Sequence, residues 1–230
     1  AVSPGTGGST LTYGYTQLKT PSVAEGRKIN SEYQAGEALR TTKAVNLKIF
    51  GGAFEVDRVL EDTAAKSEIS FQLQQKTKAT SNKFHNDFIN GKSTKNGKTD
   101  TDATAFDGLD VLCTGLSTEY KPKEAIDLST ADAIKANAES FTFELDSWLA
   151  TLSQKPDALL VNSKMATALK HIAKLMGYYT RSEDAFGRTV DTYDNIPIID
   201  MGQYYDGTAA KTVDVVKIDD KAGTTAIYAV

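Results

Sequence analysis

The reading of this chain turns on residues 54–91, FEVDRVLEDTAAKSEISFQLQQKTKATSNKFHNDFING. Leu60, Ala65, Ile69, Leu73, Thr80, Phe84 and Phe88 recur mostly at three- and four-residue steps, the period of one helix face. Asp62, with Glu61 beside it, is placed to cap the start, and Gly91 to stop the end. At 1.5 Å per residue such a helix runs roughly 40 Å, far beyond the usual length of about eleven or twelve residues. A helix this long implies a flat or elongated subunit, with Phe84 on the packed face.

The helix runs into residues 91–99, GKSTKNGKT, which carry the glycines, lysine and threonine of a phosphate-binding loop. The spacing is wrong: five residues, Lys92 to Asn96, separate Gly91 from Gly97, where such a loop has four. The context is also wrong, because a helix precedes it and the polar run DTDATAFDG follows. That run imitates a calcium loop in the spacing of Asp100 and Asp102. Ala105, however, stands where the turn needs glycine, and Val111 where a bidentate glutamate belongs. Near the start, GTGGST lacks the last glycine of a dinucleotide fingerprint. The histidines, His85 and His171, each sit within a helical pattern without a nucleophile or a second ligand. Glu139, Glu144 and Asp146 read as a solvated helix face. These patterns point to no catalytic, metal or cofactor site, and the chain is expected not to be an enzyme.

Composition agrees. Two hundred and thirty residues, 40% hydrophobic and 24% charged, suffice for one large domain or two small ones. A net charge of −4 argues against a dedicated nucleic-acid or anionic-membrane binder. The single cysteine, Cys113, cannot form an internal disulfide and reads as a small buried hydrophobe in a protein folded in a reducing cytoplasm. Neither a bilayer-spanning run nor a signal-peptide pattern is expected.

Upstream, residues 1–22 are rich in Gly, Ser and Thr and read as an extended arm. Residues 23–50 read as a long polar hairpin, VAEGRKINSEY and TKAVNLKIF flanking QAGEALR, with Gly36 near its tip. Two strands without a core beneath them are marginal alone in water. Downstream, AFDGLDVLCTGL reads as a turn and short strand, and LSTADAIKANAESFTFELDSWLATLSQ as two helical segments broken near Asn137. DALLVN reads as a buried strand. KMATALKHIAKLMG reads as a helix capped by Ser163 and closed by Gly177, with Met165, Leu169, Ile172 and Met176 on one face. NIPIIDMG, KTVDVVKI and TTAIYAV supply late strands. The class is α+β without regular βαβ alternation.

In this order, the polar hairpin with Glu25-Gly26, FEVDRVLED running into the long helix, its end at FINGKS, then FDGL, LLVNSKMATALKHIAKLMG, GRTVDTYDNIPIID and AIYAV resemble the major capsid proteins of tailed bacteriophages, the Hong Kong 97-type fold. The resemblance implies an N-terminal arm (1–22), a protruding E-loop hairpin (23–50), a peripheral domain with a spine helix (51–126), a central axial domain of mixed helices and sheet (127–210) and returning strands (211–230). It implies self-assembly into hexamers and pentamers around packaged DNA, which the inner face contacts non-specifically. A scaffold segment, a prohead protease and a portal are the partners such a subunit meets while assembling in the bacterial host cytoplasm before entering the virion. A start at Ala1 would suit proteolytic trimming. Glu32, Tyr33, Gln34, Glu37 and Arg40 of the hairpin are the expected assembly contacts. Lys28 and Lys43 lie in the same hairpin, but no asparagine context marks the lysine-to-asparagine isopeptide of some family members. The alternative is an encapsulin-like compartment shell, whose members generally begin with a cargo-docking helix that AVSPGTGGSTLTYGY does not show.

Overall fold

The computed structural model describes residues 12–33, 36–63, 66–95, 98–99, 104–177, 180–183, 189–205, 212–219 and 223–230. It divides into two compact units, Ala1–Phe50 and Gly51–Val230.

The first unit is a hairpin. β1 (Thr12–Thr20) pairs antiparallel with β2 (Leu39–Asn46), from Thr12 opposite Asn46 to Leu18 opposite Arg40, with a bulge before Thr20 meets Leu39. The first strand therefore lies in the segment expected to be an unpaired arm, and VAEGRKINSEY is not a strand. The physical reason is residue choice: β1 is dense in Thr and Tyr, which suit a pleated strand, whereas the second stretch carries Gly26 and Asn30. Asn30 has φ 65°, and the Ser31 amide donates to the Lys28 carbonyl at 3.1 Å. A positive φ at that third position is what a type II turn demands, and asparagine tolerates it. The tip is thus at Lys28–Ser31 and not at Gly36. Gly36 stands in the returning leg, where a Cβ would come within 3.3 Å of the Val23 carbonyl oxygen.

The second unit begins with α1 (Arg58–Thr63), whose start is held by the Asp57 carboxylate accepting from the Val59 amide at 2.8 Å. α2 (Glu68–Asn90) follows, and Ser67 is its cap, accepting from the Ser70 amide at 3.2 Å. The single helix expected from Asp62 is therefore two. Asp62 lies inside α1 beside Arg58, and the capping falls to Ser67 with Glu61. The Glu61 carboxylate accepts from the Ile69 amide at 3.0 Å and the Ser67 hydroxyl at 2.8 Å, and those bonds hold its carboxyl below the usual range. At 1.5 Å per residue, the 23 residues of α2 span about 34 Å.

The buried residues of α2 are Asp87 and Ile89, near its C-terminal end, and Ile89 lies on the side opposite the expected face. Leu60, Ile69, Leu73 and Phe84 are exposed, Phe84 to 46%, although its ring stacks on Phe88 at 6.3 Å and touches Phe106 at 6.0 Å. The face expected to pack is therefore mostly uncovered among the described residues, because the core of this unit reaches α2 from the Ile89 side.

Beyond Gly91 the phosphate-loop look-alike is a small ladder, β3 (Thr94–Lys95) pairing with β4 (Lys98–Thr99). Asp100 and Asp102 of the calcium-like run lie outside the described residues, while Asp107 accepts from the Ser93 amide at 2.7 Å. The stretch expected as a strand forms α3 (Leu109–Cys113), and Cys113 is half-buried rather than buried. The helix starts there because Gly108 lets the chain touch the end of α2. The Gly108 amide donates to the Gly91 carbonyl at 2.8 Å, and a Cβ on Gly108 would sit 2.5 Å from the Ile89 carbonyl oxygen. Gly91 is equally tight, its notional Cβ 2.3 Å from the Phe106 carbonyl oxygen.

α4 (Ala131–Thr151) is unbroken at Asn137, because the Asn137 amide group donates sideways to the Asp127 carbonyl at 3.0 Å instead of competing with the helix. β5 (Leu159–Val161) is fully buried and leads into α5 (Ser163–Leu175). The cap of α5 is Asn162 and not Ser163, accepting from the Met165 amide at 2.8 Å. Leu169 and Ile172 are buried as the spacing implied, Met176 is exposed, and Gly177 closes the helix at φ 77°. β6 (Thr180–Glu183), β7 (Thr189–Tyr193), β8 (Ile196–Asp200), β9 (Gln203–Tyr205), β10 (Thr212–Asp214) and β11 (Tyr228–Ala229) follow. Asp194 and Asn195, both at positive φ, make the two-residue turn between β7 and β8.

Five of these strands form one sheet in the order β11, β5, β8, β7, β6, with only β5 and β8 parallel, while β9 and β10 make a separate pair. β5 alternates between two cores. Leu159 and Val161 pack with Leu145, Leu169, Tyr193 and Ile196, beneath α4 and α5. Ala158 and Leu160 pack on the other side with Ile89, Val215 and Val216. The unit is mixed α and β, with its sheet late in the chain.

Candidate assembly surface

The hairpin buries almost none of itself. Every residue of β1 and β2 is exposed except Tyr13, which is half-buried, although the ladder satisfies the backbone. Tyr13 faces Val45, Tyr15 faces Lys43 and Leu18 faces Arg40, so each cross-strand pair mixes apolar surface with polar groups. Lys28 and Lys43 lie apart, at the turn and on β2.

Of the expected contact residues, Glu32 and Tyr33 stand just past the turn, Glu37 on the returning leg and Arg40 on β2; all four are exposed. Gln34 lies outside the described residues. What the turn does organise is Arg27, which sequence spacing did not single out. Its guanidinium lies 5.3 Å from the centre of the Tyr33 ring and donates to the Ser31 carbonyl at 3.1 Å. The tip therefore presents a rigidified Arg–Tyr pair.

The histidines and carboxylates weighed for chemistry all lie in the second unit. His85 is exposed on α2 and His171 half-buried on α5. Glu139 is exposed, Glu144 accepts from the Tyr120 hydroxyl, and Asp146 accepts from Tyr193 at 2.5 Å. An open cleft of about 720 Å³ lies beside that last pair, lined by Asp146, Lys155, Tyr193 and Asp194 among others. Its polar groups are engaged with one another, Lys155 holding the Asp194 carboxylate at 2.9 Å. Among the described residues no cluster of three His, Cys, Asp or Glu side chains could hold a metal, and no helix is long and apolar enough to cross a membrane. The Tyr228 hydroxyl, half-buried, donates to Asp110 at 3.4 Å, and burial, with that carboxylate second, pushes it up to about 12.

The hairpin thus has no core of its own, and most of the apolar face of α2 is uncovered among the described residues. A family model described as the SU10 major capsid protein matches residues 4–198. The chain belongs to that family of phage major capsid proteins. A solved chain from Mycobacterium phage Bobi is similar at 14% identity and a TM-score of 0.51, covering 90% of this chain. That likeness is one of fold, and the present chain spans 65% of the phage Bobi chain's length. No curated protein matches the chain.

Proposed function

We propose that this chain is the shell-building subunit of a tailed phage or prophage, folded in the Hong Kong 97 manner and assembling into hexamers and pentamers around packaged DNA. In this reading it is structural rather than enzymatic, α2 is the spine helix, and the β1–β2 hairpin is the E-loop, lying over a neighbouring subunit. Residues 127–210 are the axial domain. A scaffold segment, a protease and a portal are its partners during assembly in the host cytoplasm.

The observation that carries the reading is the hairpin: two nine- and eight-residue strands that bury only part of one tyrosine. A lone two-stranded ladder is marginal in water, so a partner surface has to supply the missing burial. The family match supports reading that partner as another copy. Encapsulin-like shells share the architecture, but the match to a viral capsid family favours the phage.

Purified full-length protein is expected to form rings and closed shells by negative-stain microscopy as concentration rises. A protein that remains monomeric at every concentration and ionic strength overturns the proposal.

A further inference from the structure

We propose that α4 and α5 are the two halves of a head-to-tail contact between copies of this chain, the acidic, Phe143-bearing face of α4 docking on the lysine-bearing face of the next copy's α5. This deepens the shell-forming function above and rests on it.

On α4, Asp132, Ala136, Glu139, Phe143 and Ala150 are all exposed and recur at three-, four- and seven-residue steps, one stripe of the helix. The opposite stripe, Ile134, Ala138 and Leu145, is buried. Phe143 is 70% exposed in the middle of the outer stripe. An aromatic held in water on a rigid helix, ringed by charge, has the anatomy of an interface hot spot with its polar rim.

Charge selects the occupant. α4 carries Asp132, Glu139, Glu144 and Asp146 against Lys135, a net of −3. α5 carries Lys164, Lys170 and Lys174 and no acidic residue, a net of +3. Within one chain the two helices meet through Ile134, Ala138, Ala168 and Ile172, so their charged faces are turned away from that apolar seam. Glu144, Asp146 and Lys170 are engaged by Tyr120, Tyr193 and Asp191. Among the described residues Asp132, Glu139 and Lys164 have no ion-pair partner. On the α5 side, exposed Leu175 beside Lys174 offers Phe143 an apolar seat.

Two α4 faces would repel each other, so the acidic stripe does not pair with its own copy. The hairpin is a second cationic surface, six basic against three acidic side chains over residues 12–50, and the Arg27 and Lys28 variants in the test separate it from α5. A heterologous α4–α5 contact, repeated with a rotation that closes, makes a ring of the kind hexamers and pentamers require.

The test is a charge swap in the full-length protein, read by sedimentation velocity. Glu139→Lys and Lys164→Glu should each cut the assembled fraction at least about tenfold, because each sets like charges across the contact. The double variant should recover most of it. Melting curves of the unassembled proteins should match wild type, since both side chains are exposed. A double variant as defective as the singles overturns the pairing. So does rescue of Glu139→Lys by Arg27→Glu with Lys28→Glu, which would place the hairpin on α4. Wild type that assembles while both single variants assemble equally well defeats this contact alone. Wild type that never assembles defeats the shell-forming function and the contact with it.

Discussion

Replacing Gly108 by alanine tests the junction that joins α2 to the sheet core. The glycine's φ of −83° and ψ of 175° suit any residue, so the substitution carries no conformational strain. The added methyl carbon, however, meets backbone on every side: 2.5 Å from the Ile89 carbonyl oxygen and 2.7 Å from the Gly91 nitrogen, against an ordinary contact of 3.4–4 Å. Backbone of a helix end cannot rotate aside as a side chain can. The two segments must separate by close to an ångström, and the 2.8 Å hydrogen bond from Gly108 to Gly91 goes with them. Overpacking costs about 1–3 kcal/mol and the lost bond about 1, offset by about 0.4–1 from the stiffer unfolded chain. The net is roughly 1–3.6 kcal/mol, which for a chain of this length lowers Tm by about 2–14 °C. Gly26→Ala is the control, because no atom lies within 4 Å of the Cβ it would add. Differential scanning calorimetry of the three proteins decides it. A Gly108→Ala protein melting with wild type would refute the junction as described.

Leu159→Ala, at a side chain with no exposed surface that packs between the sheet and α4–α5, should cost about 2–5 kcal/mol in urea unfolding. Joining Thr20 to Leu39 through Asn-Gly, in place of residues 21–38, should leave the melting of the second unit unchanged while shells no longer form in negative stain. Tyr228 has its folded value raised above that of the unfolded chain, so its contribution to stability is complete below about pH 10 and is lost as pH rises through about 12. Alkaline unfolding followed by circular dichroism should show that loss in wild type and not in Tyr228→Phe. Calorimetry with magnesium and ATP should show no heat, since Thr94–Lys95 and Lys98–Thr99 pair as strands instead of opening a helix; binding abolished by Lys98→Ala would contradict this.

Local chemistry was legible in the chain itself. The end of α2 at Gly91, the buried strand ALLV, the α5 face of Leu169 and Ile172 and the closing Gly177 all follow from periodicity and terminators a few residues apart. So did the ordered motifs that resemble a phage capsid subunit. The misreadings share a cause, a choice between near-equal local options settled by distant partners. Asp62 and Ser67 are both sound caps, and Glu61 reaching the Ile69 amide favours the second. Asn137 breaks a helix unless its amide finds a distant carbonyl, as it does at Asp127. Of the two extended stretches beside β2, the Thr- and Tyr-rich one won because the other spends Asn30 on the turn.

The candidate surface divides in the same way. That the hairpin is polar could be read from its composition, but the pairing of Arg27 with Tyr33 depends on a turn that brings residues six apart together. Sequence periodicity determined which residues share a helix face, because that follows from 3.6 residues per turn alone. Which faces are covered, as at Ile89, and which stay open, as at Leu73 and Phe143, only the tertiary structure decided. Burial depends on what the rest of the chain can bring against a face, and among the described residues of the second unit nothing covers the side chains of Leu73 and Phe143.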